Sequence, residues 1–313
     1  MLSPRGRHRS CAAALSLTIG LVLLSGCAPA TPAASRKPAQ PVAQPIRVVR
    51  TIEHAANPVA RPGGGQLAYV DVSAYKWQPH MLPTWDATTS VALGRPVDPD
   101  DRSVSVSLTS DGLYRLDTTG IYFGRWGKPE KKLSAVGTVV DLWASPSGKQ
   151  ILRLHVNQHG GLASNTVKDS SSGRDIKLDL PAGAERISDV QWISDGKASV
   201  LCDPEDGPST TYVLTLSSGS WRFSDPQAAD GQACPALSPD GRFQVAESPD
   251  GRLVLIDERS GQRVGTWAPI GSRIQYGHGM SHIAWPDRTH IAVGVITDTD
   301  DAVVVLDVSD VVK

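Results

Sequence analysis

Residues Gln232 to Ala268 read QACPAL, SPDG, RFQVAES, PDG, RLVLIDE, RSGQ and RVGTWA. Four short segments rich in Val, Leu, Ile and Phe alternate with turns built from Ser, Pro, Asp and Gly. Asp-Gly favours tight turns, because Gly adopts positive φ and Asp hydrogen-bonds its own backbone. The stretch therefore predicts four antiparallel strands joined by three short turns.

The same arrangement recurs along the chain. In each copy one residue stands at the end of the first strand, just before the turn, and serves as a marker of the repeat. These markers are Ala60, Leu108, Trp143, Trp192, Leu237 and Trp285. A period of about 40–50 residues with four strands per repeat is typical of a β-propeller. We therefore predict an all-β fold, a β-propeller of four-stranded blades with six blades, five and seven being the alternatives. The three tryptophan markers are expected to pack between blades as core residues.

The need to close the ring predicts a role for the segment that precedes the first repeat. The last repeat supplies three strands only, at His282–Trp285, His290–Ile296 and Ala302–Val308, and the apolar segment Ile46–Ile52 precedes the first repeat. A ring leaves no long open strand edges when its two ends are joined. We expect Ile46–Ile52 to complete the last blade beside Ala302–Val308.

The turn Leu237-Ser-Pro-Asp-Gly241, with variants after Trp143 and Trp192, resembles the repeat of TolB-type and WD-repeat-like bacterial propellers. The resemblance covers roughly residues 100 to 310, and the Gly-His and Trp-Asp dipeptides of WD repeats do not recur. It implies a propeller that serves as a binding scaffold.

The N-terminus has the pattern of an export signal. Basic residues at positions 5–9 precede an apolar run from Ala12 to Leu24, which is too short for a permanent membrane span. Leu24-Ser25-Gly26-Cys27 resembles the lipobox of bacterial lipoproteins, which implies that Cys27 is acylated and becomes the first residue of the mature protein. An ordinary signal peptide with a chance cysteine is the alternative.

These patterns predict three regions. Residues 1–26 form a lipoprotein signal peptide, residues 27–45 a lipid-anchored linker rich in Pro and Ala, and residues 46–313 the propeller. A proline-rich linker extends about 3 Å per residue. We expect an extracytoplasmic protein held at the cell membrane by its lipid.

Charge and motifs exclude several function classes. Lys and Arg total 31 against 32 Asp and Glu, and no basic face suggests nucleic acid. The chain has no P-loop, dinucleotide fingerprint or Gly-x-Ser-x-Gly elbow, and no cofactor is expected. Ser73-Ala-Tyr-Lys76 matches Ser-x-x-Lys, but the companion motifs of that pattern are missing.

Two cysteines remain once the signal peptide and the acylated residue are set aside. They are Cys202 and Cys234. Cysteines left over in an exported protein usually pair, so we predict a disulfide between them, with two buried free thiols as the alternative.

No metal site is expected. The histidine pairs 155/159 and 278/282 lie in strand or loop contexts, where residues four apart stand about 13 Å from each other. The acidic segment Asp298–Asp301 is interpreted as a solvated turn in the last repeat, with calcium as the alternative.

An aromatic segment, Tyr75 to Asp86, is interpreted as an irregular insertion. Its residues Trp77, His80 and Trp85, together with His278 in a loop near the predicted channel, are the candidate binding residues. The alternative is that this insertion folds back and covers the first blade.

The functional prediction is a binding or scaffold module for a protein or a cell-envelope polymer, attached to the membrane by its lipid. The alternative is a propeller enzyme, a lyase or hydrolase, with its site at the channel mouth; a third reading is a spacer for another component. Channel-facing His, Asp, Glu and Arg would favour an enzyme, whereas an apolar or sparsely polar channel would favour binding.

Overall fold

The computed structural model describes residues 44–61, 64–73, 76–98, 104–156, 162–224, 236–248, 250–269, 272–274, 283–297 and 300–313. The chain separates into two units, residues 1–39 and 40–313, and all of the described residues belong to the second. Across these ranges the regular structure is β throughout. Within them, no helix has the length and apolar character needed to cross a bilayer.

The strands form six antiparallel blades, as the repeat predicts. The chain begins with β1 (Gln44–Pro45) and β2 (Arg47–Glu53). Blade 1 contains β3 (Ala55–Ala60), β4 (Leu67–Asp71), β5 (Gln78–Leu82) and β6 (Val91–Ala92). Blade 2 contains β7 (Ser105–Leu108), β8 (Gly112–Asp117), β9 (Gly120–Arg125) and β10 (Lys131–Ser134). Blade 3 contains β11 (Val139–Ala144), β12 (Gln150–Val156), β13 (Leu162–Asp169) and β14 (Asp175–Leu178).

The second half of the ring repeats this order. Blade 4 contains β15 (Arg186–Ser194), β16 (Lys197–Asp203), β17 (Thr210–Ser217) and β18 (Ser220–Phe223). Blade 5 contains β19 (Ala236–Leu237), β20 (Phe243–Glu247), β21 (Leu253–Asp257) and β22 (Gln262–Trp267). Blade 6 contains β23 (Ser272–Ile274), β24 (Ile283–Ala284), β25 (His290–Thr297) and β26 (Asp301–Asp307).

The ring closes through the N-terminal strand, which confirms the predicted closure. Strand β2 pairs antiparallel with β26, with Arg47 opposite Asp307 and Glu53 opposite Ala302. Blade 6 then packs against blade 1, where Val303 and Val305 share a buried cluster with Leu67. Strands from the two ends of the described propeller are thereby paired in one blade.

The chain also contacts blade 5 just before it enters blade 6. Strand β1 pairs in parallel with β22, and the Ile46 N–H donates to the Thr266 carbonyl oxygen at 3.2 Å. The Ile46 side chain is buried in the cluster formed by blades 5 and 6. Residues 44–53, called the strap below, therefore span the seam between two blades, and their first two residues come from the predicted linker.

The innermost strand of blade 6 is in two pieces. Strand β23 pairs with Val295–Thr297 of β25, and β24 pairs with Ala292 and Val293 of the same strand. The sequence predicts a single inner strand from His282 to Trp285; His282 lies outside the described residues. Segment β23 was not predicted, because a strand of three residues has no distinguishing sequence pattern.

The tryptophan markers lie between blades, as predicted. Trp143 and Trp285 are buried. The Trp192 indole N–H donates to the Trp143 carbonyl oxygen at 3.1 Å, and that of Trp285 donates to the Ala236 carbonyl oxygen at 3.2 Å. The indoles of Trp192 and Trp285 therefore each link their own blade to the inner strand of the preceding blade.

The aspartates of the repeated turns make contacts with neighbouring blades. Asp195 in blade 4 accepts hydrogen bonds from the Ser147 backbone N–H at 3.0 Å and from its hydroxyl at 2.5 Å. Asp240 in blade 5 accepts one from Arg288 of blade 6 at 2.8 Å. The pKa of Asp240 is lowered to about 2, and the largest cause is the hydrogen bond that it accepts from the Ser238 hydroxyl. The turn motif thus also joins adjacent blades.

Candidate functional site

The inner strands surround an axial channel that holds two small cavities of about 80 and 130 Å³. In the described part of the chain, their lining is apolar or uncharged, and includes Asn57, Val59, Ser105, Ser107, Trp143, Gln191, Trp192, Ser238, Ile283 and Trp285. The Gln191 side-chain amide of blade 4 donates to the Ile283 carbonyl oxygen of blade 6 at 3.3 Å. Ligand pockets usually measure about 300–1,000 Å³, so these cavities suit water rather than a ligand.

Two buried carboxylates lie on adjacent inner strands but do not line these cavities. Asp141 on β11 and Asp189 on β15 each follow a β-bulge. Each accepts a hydrogen bond from the next backbone N–H, at 2.8 Å from Leu142 and 2.7 Å from Val190. Burial, with a smaller contribution from the charge of Asp189, raises the pKa of Asp141 well above its ordinary value.

The centre of the aromatic segment is a strand, which corrects in part the interpretation of Tyr75 to Asp86 as an irregular insertion. Residues Gln78–Leu82 form β5, paired with β4 on one side and β6 on the other. Trp77 forms an isolated bridge with Val97, each N–H donating to the other carbonyl oxygen at 2.8 Å. Pro79 and the polar residues beside it weakened the strand pattern, since proline removes a ladder donor.

The candidate binding residues of this segment contact different parts of the protein. Trp77 is half-buried against Val70 and Val104. His80 stacks on Tyr69 with 5.7 Å between ring centroids, and its Nδ1 lies 2.9 Å from the Ser90 hydroxyl. Both side chains therefore take part in packing at blade 1, of which β5 is itself a strand.

Trp85 belongs to the seam between blades 1 and 6. Its ring stacks on His290 with 3.8 Å between centroids, and its carbonyl oxygen accepts a hydrogen bond from Arg50 of the strap at 2.5 Å. Its backbone N–H donates to the Gly65 carbonyl oxygen at 2.7 Å. Trp85 is therefore tied to closure of the ring.

Of the four other predicted site residues, only Cys202 belongs to the described part of the chain. Cys27, Cys234 and His278 lie outside the described residues. Cys202 is buried on β16, and burial raises the pKa of its thiol to about 12. The Cys202–Cys234 disulfide therefore stays a prediction.

The described residues of the histidine pair 155/159 and of the acidic segment 298–301 contact other side chains of the protein or lie in a strand. His155 on β12 contacts the hydroxyls of Thr138 and Thr166 at 3.0 and 2.9 Å. Asp300 forms an ion pair with His54, and Asp301 begins β26. Over the described ranges, no group of three His, Cys, Asp or Glu side chains is arranged to hold a metal ion.

A polar groove of about 700 Å³ lies between the segment after β6 and the β8–β9 hairpin of blade 2. Its lining is Gly94, Arg95, Pro96, Val97, Asp98, Arg115, Asp117, Thr118, Thr119 and Tyr122, and we call it the 94–122 groove. No sequence motif pointed to this groove. The sequence feature that could have revealed the groove is a pair of charged residues, Arg115 and Asp117, within an otherwise apolar strand.

An ionic cluster forms the floor of this groove. Arg115 donates to Glu130 from Nη2 at 2.9 Å and also binds Asp117. The guanidinium carbon lies 4.3 Å from the ring centroid of Tyr122. Burial opposes ionisation of Asp117, but hydrogen bonds from Thr119 and the charge of Arg115 hold its pKa below its ordinary value.

Comparison with known proteins establishes the fold. No protein-family profile and no curated protein sequence matches the chain. A structure of TolB from Acinetobacter baumannii is similar over 69% of this chain, with 13% identity and a TM-score of 0.50; the chain spans 56% of that structure. An oligogalacturonate lyase in complex with manganese is similar over 87% of this chain and 100% of its own, with 11% identity and a TM-score of 0.55. The β-propeller domain of Cps50 (Swd1) from Myceliophteria thermophila is similar over 85% and 100%, with 11% identity and a TM-score of 0.52. At these identities the similarities support a TolB-like and WD-like β-propeller and no particular activity.

Proposed function

We propose that the protein is a lipid-anchored, extracytoplasmic β-propeller that binds a protein or a cell-envelope polymer as a binding or scaffold module. The observation that carries this proposal is the axial channel. Enzymes require titratable groups that converge on a space large enough for substrate. The channel cavities are small, and their described lining is apolar or uncharged.

The N-terminal sequence supports the location. A basic and apolar leader ends at Leu24-Ser25-Gly26-Cys27, and a linker rich in Pro and Ala follows. Two acyl chains hold a protein stably on a membrane, whereas a single chain does so only marginally. The linker would join the propeller at Gln44, on the outer edge of blade 5.

A pull-down from membranes tests the proposed function. The full-length protein is cross-linked in its native membrane and captured by a C-terminal tag, and a Cys27→Ser variant is the matched control. We expect one envelope protein or polymer to be enriched with the wild-type protein in stoichiometric amount. Capture of the same material in trace amounts from both proteins would contradict the proposal.

A propeller enzyme is the second candidate, because two buried carboxylates lie on neighbouring inner strands and one has a strongly raised pKa. Such perturbed groups cluster at functional sites. The fold is shared by an oligogalacturonate lyase, so uronate polymers are a reasonable substrate to assay. Turnover that disappears in Asp141→Asn while the fold is retained would overturn the binding proposal; no turnover is expected.

A further inference from the structure

The tight turns of the propeller meet on one face. In blades 1–5 the turn between the first and second strands lies at the same end as the turn between the third and fourth, because successive strands are antiparallel. Contacts join these ends around the ring: the Ser110 N–H donates to the Pro146 carbonyl oxygen at 2.6 Å, and the Gly65 N–H to that of Pro286 at 2.8 Å. We call this end the turn face and the opposite end the loop face.

The strap enters the propeller from the turn face. Strand β1 runs parallel to β22, and β22 begins at Gln262, directly after a turn of this face. Arg47 at the start of β2 likewise lies opposite Asp307, the last residue of β26. A linker that extends about 3 Å per residue is long enough to let this face touch the bilayer.

Blades 2–4 present free cations on the turn face. Six Lys and Arg residues lie in its turns or at the strand ends beside them; all six are exposed, and none forms an ion pair with a described residue. They are Arg125, Lys128, Lys131, Lys149, Arg174 and Lys197. We call them the basic arc. They come from four turns in three blades, so only the closed ring brings them to one surface.

The carboxylates of the same turns are engaged within the fold. They pair as Asp111 with Ser110, Glu130 with Arg115, Asp169 with Ser171, Asp175 with Arg153 and Asp195 with Ser147. These side chains are held against the protein, whereas Lys and Arg are long and keep their charged ends in water. Positions 62 and 63, the turn residues outside the described ranges, carry no charge. The outermost charges of blades 2–4 on this face are therefore positive.

The turn between β9 and β10 is the densest part of the basic arc. Residues 125–131 read RWGKPEK, and their single carboxylate, Glu130, is 23% exposed and bound to Arg115. Trp126 is half-buried, and its indole N–H donates to the Ser110 carbonyl oxygen at 2.9 Å. Tryptophan beside basic residues is typical of segments that lie at a membrane interface.

Cations elsewhere on the turn face are more often paired. Three in blades 5 and 6 form ion pairs: Arg242 with Asp257 at 3.3 Å, Arg288 with Asp240 at 2.8 Å and Lys313 with Asp310 at 3.1 Å. Free positive charge is therefore concentrated in blades 2–4.

The loop face is acidic. Its described exposed carboxylates are Glu53, Asp98, Asp179, Glu185, Glu205, Asp206 and Asp250, and its described exposed cations are Lys76, Arg95, Arg252 and Arg273. Positions outside the described ranges in the same connections add Asp100, Asp101, Asp225, Asp230 and Asp298 against Arg102. An anionic surface would repel this face and attract the basic arc.

We propose that the basic arc lies against an anionic lipid surface, which directs the turn face toward the membrane and leaves the loop face free for a partner. This inference rests on the proposed lipid anchor. Each Lys or Arg close to an anionic bilayer strengthens attachment about fivefold. A basic patch beside an acyl chain gives stable attachment where one chain alone is marginal.

Vesicle flotation tests this inference with residues 27–313 that carry Cys27→Ser, so that no acyl chain contributes. The probes are vesicles of phosphatidylcholine alone and of phosphatidylcholine with about one-third phosphatidylglycerol. We expect binding to the anionic vesicles only, and its loss at an ionic strength of about 1 M. Arg125→Gln, Lys128→Gln and Lys131→Gln combined should weaken binding about a hundredfold.

A matched variant removes the same charge from the loop face, through Lys76→Gln, Arg95→Gln and Arg252→Gln. We expect it to bind as the parent chain does, and thermal melts verify that both variants are folded. Equal losses in the two variants, or no binding to anionic vesicles, would overturn the inference.

The membrane pull-down separates this inference from the proposed function. If the parent chain fails to bind anionic vesicles while the acylated protein still captures a stoichiometric partner, the binding function stands and only the lipid contact of the basic arc is wrong. If the variant of the basic arc loses that partner and still binds vesicles, the arc binds a protein and the lipid assignment is overturned.

Discussion

Trp85 and His290 stack with 3.8 Å between their ring centroids, across the seam where the first and last blades meet. The His290 Nδ1 atom also lies 2.9 Å from an Asp287 carboxylate oxygen, which orients the imidazole. Blade 1 is thus joined to blade 6 by a ring contact in addition to the backbone pairing of the strap.

Replacing Trp85 should weaken this seam. We expect Trp85→Ala to lower the free energy of unfolding by ~2 kcal/mol, since a half-buried aromatic ring and its stacking contact are lost. The ring-proton resonances of His290 should shift, while those of His155 on β12 stay in place. Unchanged His290 resonances would show that the stack is absent in solution.

The strap makes a second, sharper prediction. Ile46 is 7% exposed and Val49 on the same segment is 47% exposed. Ile46→Ala should cost ~2–4 kcal/mol of stability, whereas Val49→Ala should change it by no more than ~0.5 kcal/mol. Equal denaturant midpoints for the two variants would mean that the strap does not dock between blades 5 and 6.

Truncation provides a complementary measurement. A protein that begins at Gln44 should melt like the full mature chain, because residues before it have no predicted core role. One that begins at Glu53 exposes the edge of β26 and should be destabilised by several kcal/mol. Matching melting temperatures for both would contradict closure by the N-terminal strand.

Much of this fold was readable from the sequence because its signals are local. Asp-Gly turns such as Asp240-Gly241 and the apolar runs around them specify hairpins, and the repeat count then gives the blades. The pairing of Gln44–Pro45 with β22 was not predicted, since two residues carry no pattern and the contact joins distant parts of the chain. The groove was missed for a similar reason, because Arg115 meets Glu130 only after the strands pair.

The buried carboxyl of Asp141 predicts a characteristic pH dependence. Its pKa is raised in the folded protein, mainly by burial, so its contribution to stability is greatest at pH values below the unfolded pKa, where the group is neutral in both states. That contribution is lost as the pH rises toward the folded pKa. Asp141→Asn should therefore gain stability relative to wild type as the pH rises above about 4, the ordinary pKa of an aspartate, in urea unfolding at each pH. A difference that is independent of pH would contradict this.

The two cysteines predict a staple between blades 4 and 5. Cys202 lies on β16, the second strand of its blade, and Cys234 precedes β19 in the sequence. A disulfide that closes this loop would contribute up to about 3–4 kcal/mol in the chain-entropy account. We expect no reactive thiol at either position when the protein, purified from the envelope, is denatured without reductant. Two titratable thiols would rule out the bond.

Membrane attachment through Cys27 is the claim on which the location and the binding proposal both depend. Intact-mass analysis of the mature protein, extracted from membranes with detergent, tests it most directly, with Cys27→Ser as the control. The predicted result is a chain that begins at Cys27 with acyl groups attached, and a variant without acylation that leaves the membrane fraction. A wild-type chain that is cleaved elsewhere and carries no lipid would contradict the account.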